Sequence, residues 1–180
     1  MSTYTLHVAG LTRELPLCRL SDKIDIAAFV MFGDVELTVA CAKELIRRAP
    51  AHDVIITAEA KGIPLAYEMA RQMGVNKYLI ARKMPKLYMK NPLSVTVKSI
   101  TTAKDQTLYM DAEDAAYMKG KRVLVVDDVI STGESLNAVD TLVERAGGNI
   151  VGKMAVLAEG DAQERDDIVF LEKLPLFFKD

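Results

Sequence analysis

The sequence predicts an α/β fold, with a doubly wound, mainly parallel sheet and helices on both of its faces. Short aliphatic strands alternate with amphipathic helices along most of the chain. The strands are apolar along their whole length, which is typical of a parallel sheet that is covered on both sides. Because domains typically run to roughly 100–200 residues, we expect one domain over residues 1–180.

Proline and glycine indicate where the predicted helices begin and end. The first helix stops before Pro50, and the second begins near Pro64, where a missing N–H costs little. Gly74 is a natural end for the second helix, and Gly147-Gly148 for the third. The predicted helices are Leu37–Arg47, Gly62–Met73 and Thr132–Arg145, and the predicted strands are Asp53–Thr57, Tyr78–Ala81, Arg122–Val126 and Ile150–Leu157.

Two segments interrupt this alternation. One is residues 1–34, and the other is Lys83–Asp111, which is basic at first and then rich in Thr and Ser. A connection of that length between core elements is usually functional or mobile. Ligands of parallel sheets bind at the carboxyl ends of the strands, so we expect the loops after Thr57, Ala81 and Asp128 to share one cleft.

Composition argues against several classes of function. The chain has 23 Lys and Arg against 25 Asp and Glu, and this balance does not suit a protein that grips nucleic acid through a basic surface. Two His and two Cys, with no CxxC pair, indicate neither a His-rich metal site nor a disulfide framework, and they suit the reducing cytoplasm. No apolar run approaches the roughly 20 residues of a membrane span, and we identify no signal peptide.

The strongest chemical signal lies where an aliphatic strand meets a hydroxyl-rich turn. Val123–Val126 is followed by the carboxylates of Asp127 and Asp128, and then by a turn that opens a helix. Free N–H groups at a helix start attract an anion, and Gly133 allows its close approach. Paired acids do not hold phosphate, but they suit sugar hydroxyls, a metal ion or developing positive charge. The pattern therefore favours a phosphorylated sugar as ligand.

The same residues admit other interpretations. Ser131 or Thr132 alone is a common helix N-cap, although the adjoining acidic pair favours a ligand site. A P-loop is excluded because GxxxxGK[ST] is absent. A receiver-like signalling domain stays as an alternative, but its acidic pair lies on the first strand, whereas this pair lies at 127–128.

Three stretches resemble the type I phosphoribosyltransferase family. Val123–Ser135 resembles the signature that binds phosphoribosyl pyrophosphate (PRPP), with apolar residues, two acids and a Thr/Ser-Gly turn. Thr57–Ala66 resembles the pyrophosphate-binding loop of the purine branch, and Ala81-Arg82-Lys83 with Lys86-Leu87 resembles the entry to the mobile catalytic loop of adenine phosphoribosyltransferases. The similarity covers about Leu37–Leu157 and the tail Leu174–Phe178.

This resemblance implies a reaction of PRPP with a purine base, giving a nucleoside monophosphate and pyrophosphate. Asp127 and Asp128 are the implied catalytic residues, facing the ribose hydroxyls and the cationic ring. The implied cofactor is Mg²⁺, held mainly by PRPP and not by direct protein ligands, with Asp127 or Asp128 reaching it through water. The resemblance assigns the 5′-phosphate to Ser131, Thr132, Gly133, Glu134 and Ser135, and the pyrophosphate to Glu59, Ala60, Lys61, Gly62, Arg82, Lys83 and Lys86.

The family pattern also implies the surroundings of this site. Residues 1–34 would form a small hood that reads the base, where Phe29 and Phe32 either stack on a purine or pack in the core. Residues 83–111 would form the mobile loop that closes over the site and excludes water. A cytoplasmic homodimer that binds neither nucleic acid nor membrane is expected.

The identity of the base is left open by the segment Ser94–Thr102. Adenine-specific members usually carry a Tyr-x-Leu-Glu-Tyr-like stretch here, whereas this segment has no acidic residue. It is more similar to xanthine phosphoribosyltransferases and to the PRPP-sensing domain of the purine operon repressor. The adenine-type enzyme is favoured, and a xanthine-type enzyme or a non-catalytic PRPP sensor are the alternatives.

Overall fold

The computed structural model describes residues 2–98 and 105–179. Its strands are β1 (Thr3–Val8), β2 (Leu11–Arg19), β3 (Ile24–Ala27), β4 (Val54–Ala58), β5 (Leu79–Ala81), β6 (Leu93–Val97), β7 (Gln106–Met110), β8 (Arg122–Ile130), β9 (Asn149–Glu159), β10 (Val169–Leu174) and β11 (Leu176–Phe178). Its helices are α1 (Val35–Arg48), α2 (Ile63–Gln72), α3 (Ala112–Met118) and α4 (Glu134–Arg145), and a 3₁₀ helix covers Gly160–Glu164. None of these helices is long and apolar enough to cross a membrane.

The central sheet has the strand order β10-β9-β8-β4-β5, and each neighbouring pair runs parallel. Successive side chains of a strand point to opposite faces, so Ile55 and Ile56 of β4 belong to two different cores. One core lies under α4 and the pair β6–β7, and the other lies under α1, α2 and the N-terminal strands. The predicted α/β class, with cover on both faces, is confirmed.

The structure shifts two predicted boundaries near the acidic pair. Strand β8 continues to Ile130 and does not end at Val126, because Asp127, Val129 and Ile130 keep their pairing with β9. Helix α4 begins at Glu134 and not at Thr132, because Gly133 adopts a left-handed conformation with φ of 79°. The acidic pair therefore lies within the last part of a strand, and the turn that follows it is shorter than expected.

Both ends of the chain build the hood. Strands β1, β2, β3 and β11 form an antiparallel sheet in that order. Strand β11 pairs Leu176 with Ile26 of β3 and so adds the C-terminal tail to a layer that we assigned to residues 1–34 alone. This sheet packs over the core that also contains α1 and α2.

The segment Lys83–Asp111 is partly built into the fold. Its strands β6 and β7 form an antiparallel pair in which Val95 and Leu108 are buried against the core of α4. Arg145 of α4 also donates a hydrogen bond from Nη1 to the carbonyl oxygen of Ser94, at 3.0 Å. Residues 99–104 of the predicted mobile loop, including the end of Ser94–Thr102, lie outside the described residues.

Candidate active site

The acidic pair forms the floor of the candidate site. Asp127 accepts a hydrogen bond at Oδ1 from the backbone N–H of Asp128, at 2.8 Å. Asp128 is buried, and within the described chain its Oδ2 has no hydrogen-bond partner. Burial and the neighbouring Asp128 carboxylate raise the pKa of Asp127 to about 8. Asp127 is partly exposed, Lys83 lies near enough to oppose the rise of its pKa, and no ion pair to either acid is found among the described residues. The two carboxylates are therefore suited to donors or positive charge from a ligand.

The turn after β8 encloses a small polar cavity. Gly133 is the N-cap of α4 and offers no side chain to its first N–H groups, while the Thr132 hydroxyl accepts a long bond of 3.4 Å from the N–H of Glu134. Backbone N–H groups at a helix start that lacks a side chain at its N-cap are suited to an anion. The cavity measures about 60 Å³ and is lined by Asp127, Val129, Ile130, Ser131, Thr132, Gly133, Ser135 and Leu136.

The loop Glu59–Gly62 connects β4 to α2 and comes close to the acidic pair. Its first peptide bond, Glu59-Ala60, is cis. Gly62 is the N-cap of α2, again without a side-chain cap. A Cβ atom built on Gly62 would lie 2.1 Å from Oγ1 of Thr57 and 3.2 Å from Oδ1 of Asp127. The predicted pyrophosphate loop and the predicted catalytic residues therefore share one cleft.

Glu59 links this loop to the basic residues after β5. Its Oε2 accepts a hydrogen bond from the backbone N–H of Lys83 at 3.0 Å. Its Oε1 lies 3.4 Å from Nη2 of Arg82 and 3.8 Å from Nζ of Lys86. The carboxylate itself carries the wrong charge to hold pyrophosphate, so its contacts point to a role in holding these three cationic residues beside Ala60 and Lys61.

A larger cavity of about 290 Å³ separates the hood from the acidic pair. Sequence reasoning did not single out Glu159, although this residue ends β9 at the same sheet edge as the predicted site. Burial raises the pKa of Glu159, and Lys61 opposes the shift. Phe29 is buried in the hood-side core and also lines the cavity, whereas Phe32 is half exposed. The lining residues are Ile26, Ala27, Ala28, Phe29, Val30, Lys61, Asp128, Val129, Ser131, Glu159 and Leu174.

The acidic pair fits a metal ion that arrives with its own ligands. Over residues 2–98 and 105–179 no group of three or more His, Cys, Asp or Glu side chains is placed to hold a metal. Asp127 and Asp128 supply the hard oxygen atoms that Mg²⁺ prefers, and the buried Oδ2 of Asp128 still lacks a partner within the described chain. Mg²⁺ usually keeps several waters and takes further oxygens from substrate phosphates, so two carboxylates are sufficient here.

The sequence and the fold have known relatives. The family model "Phosphoribosyl transferase domain" matches residues 39–177. A hypoxanthine/guanine phosphoribosyltransferase of Methanococcus voltae is 35% identical over 113 residues, which are 63% of this chain and 56% of that protein. An adenine phosphoribosyltransferase of Rhodococcus opacus is 33% identical over 127 residues, or 71% of this chain and 69% of that protein. The matched region thus spans little more than half of the Methanococcus relative.

A solved structure has the same architecture. The adenine phosphoribosyltransferase of Thermoanaerobacter pseudethanolicus superposes with a TM-score of 0.73 at 22% identity, over 88% of this chain and 95% of that one. At this identity the likeness bears on the fold alone. The family model, however, covers well over half of the chain and spans the Gly62 loop, the acidic pair and the turn at Gly133. This chain belongs to the type I phosphoribosyltransferase family.

Proposed function

We propose that this protein is a purine phosphoribosyltransferase, and that it transfers the ribose 5-phosphate group of PRPP to a ring nitrogen of a purine base. The C1–O bond to pyrophosphate breaks, a C1–N bond forms, and the nitrogen loses its proton. The observation that carries this proposal is the close approach of Gly62 to Asp127, whose Oδ1 lies 3.2 Å from a Cβ atom built on the glycine. This approach places two helix starts suited to anions on either side of one pair of acids. A substrate with phosphate at one end and pyrophosphate at the other matches this pair of sites.

The two helix starts hold the two ends of PRPP. Backbone N–H groups of the turn Ser131–Ser135 and its hydroxyls bind the 5′-phosphate. Backbone N–H groups of Ala60, Lys61 and Gly62 bind the pyrophosphate, and the cations held by Glu59 balance its charge. Mg²⁺, when bound with PRPP, withdraws charge from the leaving pyrophosphate. A closing loop within Lys83–Asp111 excludes the water that competes for the activated ribose.

The acidic pair acts on the ribose. Asp127 and Asp128 accept hydrogen bonds from its hydroxyls and stabilise the positive charge that develops at C1 as pyrophosphate leaves. Fixed charges in a site that excludes water are commonly the largest catalytic contribution. In the ligand-free protein, burial and the Asp128 carboxylate raise the pKa of Asp127. Positive charge that arrives with the substrate or develops at C1 would lower this pKa and favour the ionised pair.

We favour adenine as the base. Ile26, Phe29 and Val129 give the cavity between the hood and the acidic pair an apolar lining, which suits a purine ring. Glu159 adds a carboxylate, which would accept a hydrogen bond from an exocyclic amino group of the base. The same carboxylate would repel a carbonyl oxygen at that position of the base. The curated relatives include both adenine and hypoxanthine/guanine enzymes, so the choice rests on this carboxylate.

We also infer a homodimer. A second copy of the chain would occupy an apolar groove between α1 and α2. Val35, Val39 and Tyr67 line this groove of about 360 Å³ and are all exposed. Large exposed apolar patches mark interaction surfaces. The groove also includes Ile63 and Pro64, the first residues of α2 after the Gly62 loop, so a copy seated there would lie beside the cleft.

The assay that tests the proposed function measures pyrophosphate release from PRPP in the presence of Mg²⁺. Adenine, hypoxanthine, guanine, xanthine and orotate are supplied one at a time. We expect turnover with adenine to exceed turnover with each 6-oxopurine and with orotate. Turnover with xanthine alone would select the xanthine-type alternative. No turnover with any base, while PRPP still raises the melting temperature, would replace the enzyme with a PRPP sensor.

A further inference from the structure

The phosphate-binding turn has a neighbour outside the family signature. A Cβ atom built on Gly133 would lie 2.5 Å from Nη1 and 3.8 Å from Cζ of Arg165. The guanidinium therefore occupies the space that a side chain at position 133 would need. Gly133 is required here because its φ of 79° is left-handed, and the Nη1 end of the Arg165 side chain lies on its open side.

Arg165 is held in this place by a bidentate ion pair. Its Nε and Nη2 donate to the two carboxylate oxygens of Asp167, at 2.8 and 2.7 Å. The ion pair engages Nε and Nη2 of the guanidinium, and Nη1 is left facing Gly133. The hydrogen bonds with Arg165 hold the pKa of Asp167 down to about 2, so the pair stays ionised throughout the neutral range.

A second ion pair connects this anchor to the body of α4. Nζ of Lys153 on β9 lies 3.7 Å from Oδ2 of Asp167 and also forms an ion pair with Asp140 of α4. Asp140 lies in the helix that begins beside Gly133. A series of ion pairs thus runs from Asp140 through Lys153 and Asp167 to Arg165. It connects the middle of α4 with the N-terminus of the same helix.

We propose that Arg165 is a positioning residue for the 5′-phosphate site, seating Gly133 and presenting positive charge to the turn. This inference rests on the proposed function for the identity of the anion. The residues that line the small cavity come from β8, the turn and α4, and Arg165 approaches from outside this set. It therefore acts through Gly133 and the local field, because a cation beside the first turn of a helix adds to the positive potential at that end of the helix.

The test compares binding of ribose 5-phosphate, which has the 5′-phosphate but no pyrophosphate, with binding of pyrophosphate. Calorimetry measures both in the wild type and in Arg165→Met. We expect the Kd for ribose 5-phosphate to rise about tenfold, while the Kd for pyrophosphate stays within about twofold, because that ligand binds at the Gly62 loop. In the enzyme assay the KM for PRPP rises and kcat changes little, as expected for lost ground-state binding.

Two further variants separate charge from geometry. Arg165→Lys keeps the charge but loses the planar bidentate pair, so its Kd for ribose 5-phosphate should fall between those of the wild type and Arg165→Met. Asp167→Asn removes the anchor and should weaken the same ligand without affecting pyrophosphate. Arg47→Met is the control, since Arg47 is an exposed arginine of α1 that pairs with Glu44, and it should change neither Kd.

The outcomes separate this inference from the proposed function. Unchanged ribose 5-phosphate binding in Arg165→Met would overturn the positioning role, as would an equal loss of both ligands together with a lower melting temperature. A wild type that binds ribose 5-phosphate but turns over no base would overturn the enzyme proposal and leave the role of Arg165 measurable by binding. A wild type that binds neither ligand would overturn both.

Discussion

At the scale of single residues, Asp127 is expected to make folding depend on pH. Its folded pKa of about 8 exceeds the value of 3.8 for an unperturbed carboxyl group, so the folded protein binds this proton more tightly than the unfolded chain does. The free energy of unfolding therefore decreases as the pH rises from about 4 to about 8. Asp127→Asn removes this contribution, and we expect its melting temperature to fall less than that of the wild type over the same window.

The measurement is thermal denaturation without ligand at a series of pH values. Asp161→Asn is the control, because Asp161 is an exposed carboxylate in the 3₁₀ helix, and its profile should follow the wild type. We also expect Asp127→Asn to lose most of its transferase activity, so stability and activity should change in opposite directions. Parallel pH profiles for the wild type and Asp127→Asn would show that the carboxyl group is not perturbed as described.

The sequence could predict residues whose role follows from their neighbours in the chain. Asp127, Asp128 and Gly133 were found because a buried strand, two acids and a turn are contiguous. Glu59 is different, since its partners lie 23, 24 and 27 residues further on, at Arg82, Lys83 and Lys86. No periodicity connects them, and the contact exists only after β4 and β5 pair. This is why Glu59 was assigned to the pyrophosphate when its position favours a role in holding cations.

At the scale of elements, the packing of the Gly62 loop against β4 and β8 should tolerate no added side chain. Gly62→Ala would place a methyl group 2.1 Å from Oγ1 of Thr57, and Thr57 is fully buried. Overpacking of this kind typically costs about 1–3 kcal/mol. The loop must also move away from Asp127, so we expect both a lower melting temperature and weaker binding of PRPP, measured by denaturation and calorimetry.

Gly74→Ala is the matched control at the other end of α2. Gly74 has a φ of 70° and nothing within 4 Å of an added Cβ, so this substitution should lower stability through backbone strain alone. We expect its PRPP binding to equal that of the wild type. If Gly62→Ala also kept normal PRPP binding, the loop and the acidic pair would not form one site.

The predicted elements were correct where apolar strands alternate with amphipathic helices, and several elements outside that alternation were missed. The buried strands β4 and β8 carry unbroken apolar runs, and α1, α2 and α4 each have helical spacing over ten or more residues. Helix α3 has seven residues and β11 has three, which is too few for a period to be visible. Strand β11 is stabilised by its pairing with β3, and this long-range contact cannot be deduced from the tail itself.

At the scale of the whole molecule, the two layers of the fold meet at the candidate active site. The parallel sheet presents the acidic pair, the Gly62 loop and Glu159 at the carboxyl ends of its strands, as the switch-point rule predicts. The hood adds the opposite wall through Ile26–Val30. Leu174, the last residue of β10, also lines this cavity, two residues before β11 begins at Leu176. The C-terminal tail therefore links the hood sheet to the parallel sheet that carries Asp127 and Asp128.

The last prediction concerns the apolar groove between α1 and α2, which we assign to a second copy of the chain. Val35→Asp combined with Tyr67→Asp would place two carboxylates in that interface, and their desolvation should shift the protein to monomers at micromolar concentration. Both residues are exposed, at 73% and 54%, and an acid in the first turn of α1 is compatible with its helix dipole. Sedimentation velocity measures the state directly. Val169→Asp is the control, since Val169 is exposed on β10, and it should stay dimeric. A monomeric wild type, or a double variant that remains a dimer, would show that the groove is not a dimer interface.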